Sequence, residues 1–153
     1  MITVEEVKNL IEQNLAGKFS DLKTDVRRVF ITVQPQDLVE TCKMIKEKLE
    51  IRHISTISAR DTTTHIEINY HFARPGVVVT GKTLTDRQSP CVRTITELFP
   101  GATLYEREIH DILGVKVEGH PDPRRLVLPD DWPDGVYPLR KDWTYDRITE
   151  VIK

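Results

Sequence analysis

The sequence predicts an α+β fold: an antiparallel sheet with helices packed on one face, followed by an extended proline-rich C-terminal arm. Segments with apolar residues at helical spacing alternate with β-branched segments before Gly114. Consecutive β-prone segments are joined by short turns, which favours antiparallel pairing. After Gly114 the proline content rises sharply, because five of the nine prolines lie between residues 115 and 143. We therefore expect one domain with an α+β body, residues 1–114, and an extended arm, residues 115–153.

Four amphipathic segments predict the helices. Thr3 and Glu6 form a capping box in front of the first helix, which Gly17 ends. Its apolar face consists of Val4, Val7, Ile11 and Leu15. The second helix has Leu38, Cys42, Ile45 and Leu49 at helical spacing. Two further helices, 89–99 and 102–113, are predicted on either side of Pro100-Gly101.

Four β-prone segments predict the sheet: 27–34, 51–59, 64–73 and 77–84. The third alternates cleanly, which predicts one buried and one solvent-facing side. Its apolar side comprises Ile66, Ile68, Tyr70 and Phe72, and its polar side Glu67, Asn69 and His71. Helices on one side of such a sheet form a two-layer α+β body.

Composition and charge argue against several classes of function. The formal net charge is −2 over 153 residues, so no strong positive field favours nucleic acid. The acidic N-terminal stretch does not resemble a secretory signal, and no apolar run approaches the ~20 residues that cross a bilayer. Cys42 and Cys91 fit neither a metal motif nor a disulfide framework, which favours free thiols in a reducing cytoplasm. We expect membrane contact only through partner proteins.

The strongest candidates for chemistry are the polar side chains of the predicted helix 102–113. Helical spacing brings Glu106 close to His110 and Arg107 close to Asp111, whereas Glu108 projects roughly 200° away from Glu106. This segment has neither the zinc-protease pattern nor a Glu-x-x-His pair, and a solvated or ion-paired helix face is the simpler interpretation. Glycine-rich phosphate loops are absent, and two cysteines are too few for an iron–sulfur cluster. We expect no catalytic, cofactor-binding or metal-binding residues and no activity from this chain alone.

The C-terminal arm is proline-rich but not typical of a disordered tail. It contains both tryptophans, Trp132 and Trp143, among many aliphatic residues. A long irregular apolar segment needs a surface to lie on, which is its own sheet, another protein or both. Tryptophan, tyrosine and arginine are frequent anchors of protein interfaces, and proline lowers the entropy cost of docking. Two compatible interpretations follow: a rigid tail packed on its own domain, or a docking arm.

An ordered series of motifs across residues 105–143 carries a resemblance to a known family. The motifs are Glu106-Arg107-Glu108, Asp111-Ile112-Leu113-Gly114, Gly119-His120-Pro121-Asp122, Arg124-Arg125 and Pro138-Leu139-Arg140-Lys141-Asp142. This series resembles the signature of the respiratory complex I 30 kDa subunit family. The stretch Leu128-Pro129-Asp130-Asp131-Trp132-Pro133 is more similar to the version in membrane-bound nickel–iron hydrogenases and formate hydrogenlyase-type complexes. Residues 112–113 also lack the aromatic residue that is usual in complex I proper.

The resemblance implies a non-catalytic subunit in the hydrophilic arm of a complex I-like oxidoreductase, with no cofactor of its own. It implies packing against the large catalytic subunit, near iron–sulfur subunits, on the cytoplasmic side of the membrane. Iron–sulfur clusters and, in hydrogenases, the nickel–iron centre would belong to those partners. Quinone-, sulfur- and deazaflavin-linked complexes share this subunit and stay open as alternatives. The expected partner-docking residues are Glu106, Arg107, Asp111, His120, Arg124, Arg125, Trp132, Arg140, Lys141 and Asp142.

Overall fold

A computed structural model describes residues 2–152 and confirms the α+β class. The helices are α1 (Val4–Asn14), α2 (Leu38–Lys48), α3 (Ala102–Leu113) and α4 (Tyr145–Ile152), with a short 3₁₀ helix at Pro35–Asp37. The strands are β1 (Phe19–Asp25), β2 (Arg28–Val33), β3 (Ile54–Asp61), β4 (His65–Arg74), β5 (Val77–Asp86), β6 (Cys91–Arg93) and β7 (Lys116–Glu118). The predicted capping box is present, since Thr3 and Glu6 exchange their hydrogen bonds at the start of α1.

Five strands form one sheet in the order β1-β2-β5-β4-β3. The predicted antiparallel pairing holds for β3, β4 and β5, and β1 also pairs antiparallel with β2. The central pair β2 and β5 is parallel, which the local turns do not predict. The chain leaves β2 through α2, begins β3 at the far edge and returns through two hairpins. Those two reversals bring β5 alongside β2 in the same direction.

The hydrophobic core lies on one face of this sheet. The apolar side of β4, from Ile66 to Phe72, is fully buried, as the alternation predicts. Val7 and Ile11 from α1 and Ile45 from α2 belong to the same buried cluster. Helix α3 lies beside the edge strand β3, where the Tyr105 hydroxyl donates to the Ser55 carbonyl (3.0 Å). This position makes α3 the outer wall of the body, next to the C-terminal arm.

Three elements differ from the predictions. Strand β1 was missed because its sequence, FSDLKTD, is polar and largely exposed at the sheet edge. The predicted helix 89–99 is wrong: it begins with β6, and residues 95–99 make only one turn. The Ile95 amide donates to the Glu106 carboxylate and not to a helical carbonyl, so a tertiary contact replaces the helix there. Helix α4 was not predicted.

The C-terminal arm contains two short regular elements. Strand β7 pairs in parallel with β6, and α4 occupies residues near the described C-terminus. Residues 119–144 between them contain turns and bends and neither a helix nor a strand. Within residues 2–152, no helix is both long and apolar enough to cross a membrane.

Candidate docking interface

The C-terminal arm follows α3 along its whole length. Near the start of the helix, the His120 ring contacts the Thr103 carbonyl (Nε2 to O, 3.1 Å). At the other end, the Leu139 amide donates to the Ile112 carbonyl (3.2 Å) and Arg140 Nε donates to the Leu113 carbonyl (2.8 Å). The arm therefore meets carbonyl groups at both ends of α3, and two polar side chains of the helix hold it in between.

The first of these side chains is Arg107, which holds two carbonyl groups of the arm. Its Nε donates to the Arg124 carbonyl (2.8 Å) and its terminal nitrogen to the Arg125 carbonyl (2.7 Å). The same guanidinium lies 3.3 Å from the Asp122 carboxylate. The planar fork of arginine suits such paired acceptors. Arg107 thus fixes the main chain of the arm while its own side chain is largely buried.

The second side chain is Asp111, one turn further along the helix. Its Oδ2 accepts hydrogen bonds from three successive amides, those of residues 126, 127 and 128, at 3.1, 2.8 and 2.8 Å. Burial alone would raise the pKa of Asp111, but these amide donors and the nearby Arg125 outweigh burial and lower the pKa below its usual value. The ionised carboxylate is therefore the form that holds the arm.

Glu106 lies on the inner side of α3 and is fully buried. It accepts hydrogen bonds from the Thr94 hydroxyl and from the Ile95 amide (2.8 Å to Oε1). Burial raises the pKa of Glu106, against the opposing effect of these donors and of His120. A solvated or ion-paired face is the wrong interpretation for Glu106 and Asp111, because both are buried and bound to main-chain amides. Their role in docking stays a prediction. Because they are buried, they would act by holding the arm in its conformation and not by contacting the partner.

His120 anchors the beginning of the arm through both ring nitrogens. Its Nδ1 accepts from the Asp122 amide (3.0 Å), so Nε2 carries the proton that is donated to Thr103. The Glu106 carboxylate lies 3.7 Å from Nε2. The side chain is 3% exposed. His120 therefore acts within the chain in this structure.

A second attachment lies at the end of the sheet and was not predicted. The Asp61 carboxylate, on β3, accepts from Arg87 in a bidentate pair (2.8 and 2.7 Å) and from the Lys141 amide (3.0 Å). Arg87 also donates to the Asp142 carboxylate (2.8 Å). Arg87 lowers the pKa of Asp61 strongly, against the effect of burial. No local pattern reveals this cluster, because Asp61 lies 80 residues from Lys141.

Other side chains of the arm point away from the body. Leu126, Val127 and Leu139 are 41%, 56% and 57% exposed. Lys141 and Arg124 are exposed as well, and Arg124 is paired with Asp122 (2.7 Å). We call these five residues the outer strip. The strip combines apolar and basic groups on a main chain that hydrogen bonds to α3 and to Asp61 hold in place.

The remaining docking candidates are half-buried. Trp132 donates from Nε1 to the Val136 carbonyl (2.8 Å) within its own turn. Arg140 stacks on the Tyr137 ring, with 5.0 Å between the guanidinium carbon and the ring centroid. Arg125 pairs with Asp134 (2.8 Å). Among residues 2–152, no group of three or more His, Cys, Asp or Glu side chains is placed to hold a metal ion.

The family described as "Respiratory-chain NADH dehydrogenase, 30 Kd subunit" matches residues 31–148. The chain belongs to this family. The match covers α3, most of the arm and most of the sheet, so the residues of the outer strip all lie within the family's common region.

Three relatives of the 30 kDa subunit family show how widely it is distributed. The chain is 36% identical to an NADH-quinone oxidoreductase subunit of Moorella thermoacetica, over 86% of this chain and 91% of the relative. It is 30% identical to the beta subunit of the membrane-bound hydrogenase of Pyrococcus furiosus, over 93% and 87% of the two chains. The NADH-quinone oxidoreductase relative from Chloroherpeton thalassium is longer: it is 29% identical, and the alignment covers 97% of this chain and 64% of that relative.

A solved structure extends the likeness to three dimensions. A chain in the structure of the membrane-bound sulfane sulfur reductase, an archaeal respiratory membrane complex, is 26% identical with a TM-score of 0.78. The match covers 97% of this chain and 89% of that one. The two chains therefore share their fold over nearly the whole length of this chain.

Proposed function

We propose that this chain is a non-catalytic structural subunit in the hydrophilic arm of a membrane-bound, hydrogenase-type relative of complex I. In this role its C-terminal arm packs against the large catalytic subunit and helps to position it. The observation that supports this proposal is the outer strip, whose apolar and basic side chains are exposed on a main chain that hydrogen bonds to α3 and to Asp61 hold in place.

The ordered backbone of the strip lowers the cost of binding. A flexible segment loses conformational freedom when it docks, and this loss reduces affinity. In this chain, Arg107 and Asp111 order residues 124–128 through five hydrogen bonds, counting two carbonyls and three amides. Leu126 and Val127 are thus already oriented for a partner surface. The centre of a protein interface is more apolar than its rim and is enriched in arginine.

The charge of the strip indicates the character of the partner. Arg124 and Lys141 flank the apolar residues along the chain, so a partner surface with both apolar and acidic groups is complementary. We expect no cofactor on this chain. The iron–sulfur clusters and, in the hydrogenase case, the nickel–iron centre would belong to the large subunit and neighbouring iron–sulfur subunits. The chain would be peripheral, on the cytoplasmic side of the membrane, and attached only through its complex.

A second candidate keeps the structural role in a quinone-, sulfur- or deazaflavin-linked complex. Two similarities favour this second candidate: the 36% identity to an NADH-quinone oxidoreductase subunit and the TM-score of 0.78 to the sulfane sulfur reductase chain. The 30% identity to the hydrogenase subunit favours the first candidate to a similar extent. The type of redox centre in the large subunit distinguishes the two candidates.

The test is to tag the chain in its native host and purify it gently from solubilised membranes. Mass spectrometry then identifies the co-purifying proteins, and the eluate is assayed for nickel and for hydrogen evolution. A stoichiometric set that includes a nickel–iron large subunit with activity supports the first candidate. The same set without nickel or hydrogen evolution supports the second. A lone chain without partners would contradict the structural role.

A matched pair of charge reversals tests the outer strip in the same experiment. Lys141→Glu reverses an exposed charge on the strip, whereas Lys23→Glu reverses one on β1, at the edge of the sheet. We expect Lys141→Glu to reduce recovery of the large subunit and Lys23→Glu to leave it unchanged. Equal recovery from both variants would exclude Lys141 as a docking contact.

A further inference from the structure

Next to the outer strip lies a polar cleft between the second half of α3 and two segments of the arm. His110 and Asp111 form its wall on the helix, and Arg125, Asp134 and Tyr137 line it from the arm. The His110 ring is tied to the body through Nδ1, which lies 2.9 Å from the Val115 carbonyl oxygen. The ring thus forms a fixed part of the wall.

Positive and negative side chains around this cleft are equal in number, but the carboxylates differ in how many groups bind them. Three guanidinium groups, those of Arg107, Arg124 and Arg125, face three carboxylates, those of Asp111, Asp122 and Asp134. Asp111 binds three main-chain amides, and Asp122 lies between Arg107 and Arg124. Asp134 differs, because its side chain is fully exposed and its ion pair is with Arg125.

Arg125, in contrast to the exposed Asp134, is largely buried. Its side chain is only 26% exposed, and its own carbonyl is held by Arg107. An arginine that is partly buried in a polar cleft and paired with a fully exposed carboxylate can exchange that carboxylate at little cost, because exposed ion pairs contribute little. Moving Asp134 away leaves the cleft with one uncompensated positive charge, and this charge matches a single carboxylate.

We propose that, when the arm docks, Arg125 exchanges the Asp134 carboxylate for a carboxylate of the partner protein. Asp134 then neutralises the charge of Arg125 in the free chain, and in the complex the partner's carboxylate replaces it. This inference rests on the proposed docking function and identifies the chemistry that the partner must offer at this cleft. A bidentate pair with arginine that is excluded from water gives geometric specificity as well as affinity.

Paired substitutions test the exchange in the native complex. Arg125→Gln should speed dissociation of the tagged chain from the complex about thirtyfold or more, because it leaves a desolvated carboxylate on the partner. Asp134→Asn should slow dissociation about two- to fivefold, because it removes only a competing exposed carboxylate. Arg60→Gln is the matched control, since it removes an arginine that pairs with Glu67 on the sheet. Far-UV circular dichroism confirms that each variant is folded.

Cross-linking identifies the carboxylate itself. In an Arg125→Lys/Asp134→Asn variant, a carbodiimide can join the new amine to a carboxylate in contact with it, with loss of water. Mass spectrometry should find residue 125 linked to an Asp, a Glu or a C-terminus of the partner. Residue 125 linked only within this chain, or found without a link, would overturn the inference. So would an Asp134→Asn variant that dissociates as fast as Arg125→Gln.

The outcomes separate this inference from the proposed function. If the wild-type chain purifies without a large subunit, the docking function itself fails. If the wild type and Arg125→Gln both retain the large subunit to the same extent as Arg60→Gln, docking stands and the carboxylate exchange is wrong.

Discussion

The body and the C-terminal arm are ordered by different forces. In the body, residues such as Ile68, Tyr70 and Phe72 are fully buried in one continuous hydrophobic cluster. Within residues 115–152, the buried apolar side chains are Val115 and Val136. Polar side chains of the body hold the rest of the arm by binding its main chain. A segment without its own core can therefore be ordered, and its side chains stay free for a partner.

The two kinds of stabilisation differ in how many residues contribute to them. Burial of each aliphatic side chain stabilises the body by roughly 1.5–3 kcal/mol, and many residues contribute. A hydrogen bond to a charged group contributes a similar amount, roughly 1.5–3 kcal/mol. The attachments of the arm, however, are concentrated in a few side chains, chiefly Arg107, Asp111 and Asp61. Single substitutions should therefore release the arm while the body stays folded.

The largest effect is expected from a cavity in the body. Ile68→Ala on β4 should lower the free energy of unfolding by about 2–5 kcal/mol, because it removes buried methylene groups and leaves a cavity. Urea denaturation followed by far-UV circular dichroism measures this loss. The control is Leu139→Ala, whose side chain is 57% exposed and should change stability by less than about 0.5 kcal/mol. Similar losses in both variants would contradict the difference between body and arm.

Asp111→Ala should act on the arm and spare most of the body. It leaves the amides of residues 126–128 without their common acceptor, which should lower the free energy of local opening by about 2 kcal/mol. Amide hydrogen exchange measures this as faster exchange at 126–128, with little change at β4. Glu108→Ala, on the same helix and half-buried, is the control. Global unfolding of Asp111→Ala would show that the arm is part of the body's cooperative unit.

Two glycines with similar φ angles sharpen the comparison further. Gly114 ends α3 at φ 70°, and a methyl group there would lie 2.5 Å from the Tyr137 ring. Gly135 has φ 78°, but an added methyl group would meet no atom within 4 Å. Gly135→Ala should cost about 1 kcal/mol from backbone strain alone. Gly114→Ala should lower the free energy of unfolding by more than this and displace the arm. The displacement should appear as faster amide hydrogen exchange at Leu139 and Arg140.

If the two alanine variants lose the same stability by urea denaturation, the Tyr137 ring adapts freely and does not fix the arm. A larger loss for Gly114→Ala assigns the difference to close contact between the end of α3 and the arm.

The smallest change in stability is expected on lowering the pH. The pKa of Asp61 is lowered by Arg87 against burial, and the pKa of Asp111 is lowered by amide donors against burial. Their stabilisation is therefore present above the unfolded value of about 4 and is lost as pH falls through the lower folded values. Glu106, whose pKa is raised by burial, changes stability in the opposite direction, since its neutral form is favoured in the fold.

Tryptophan fluorescence can follow this acid response, because Trp132 and Trp143 both lie in the arm. We expect the fluorescence to change at a higher pH than the far-UV circular dichroism of the body. An Asp61→Asn/Asp111→Asn variant should show a weaker fluorescence change. A single coincident transition by both probes, unaffected by these substitutions, would contradict separate attachment of the arm.

The sequence predicted those parts of the fold that depend on local periodicity. Helices α1 and α2 and strand β4 carry apolar residues at regular spacing, so their buried faces were predicted correctly. Strand β1 was missed because an exposed edge strand has little apolar pattern. The helix predicted at 89–99 was wrong because the Glu106 carboxylate binds the Ile95 amide, a contact that spacing along the chain does not reveal.

The sequence singled out residues of α3 and the arm as docking candidates, and their docking role stays a prediction, but it did not predict their geometry. Helical spacing correctly separated Arg107 and Asp111 from Glu106, yet it could not show that the arm's own main chain lies opposite them. Asp61 and Arg87 were not selected, because their contacts with the arm join residues 80 and 55 positions apart. Which side chains stay exposed depends on these long-range contacts, and the outer strip could be recognised only in the structure.

The most direct test of the account is side-chain footprinting of the same chain, free and in its native complex. Hydroxyl radicals oxidise exposed aliphatic side chains, and mass spectrometry measures the extent at each residue. We predict strong protection of Leu126, Val127 and Leu139 in the complex, with no change at Val26, which is 88% exposed between β1 and β2. Equal oxidation of the three leucine and valine side chains in both forms would show that no partner covers the arm, and would contradict the docking function.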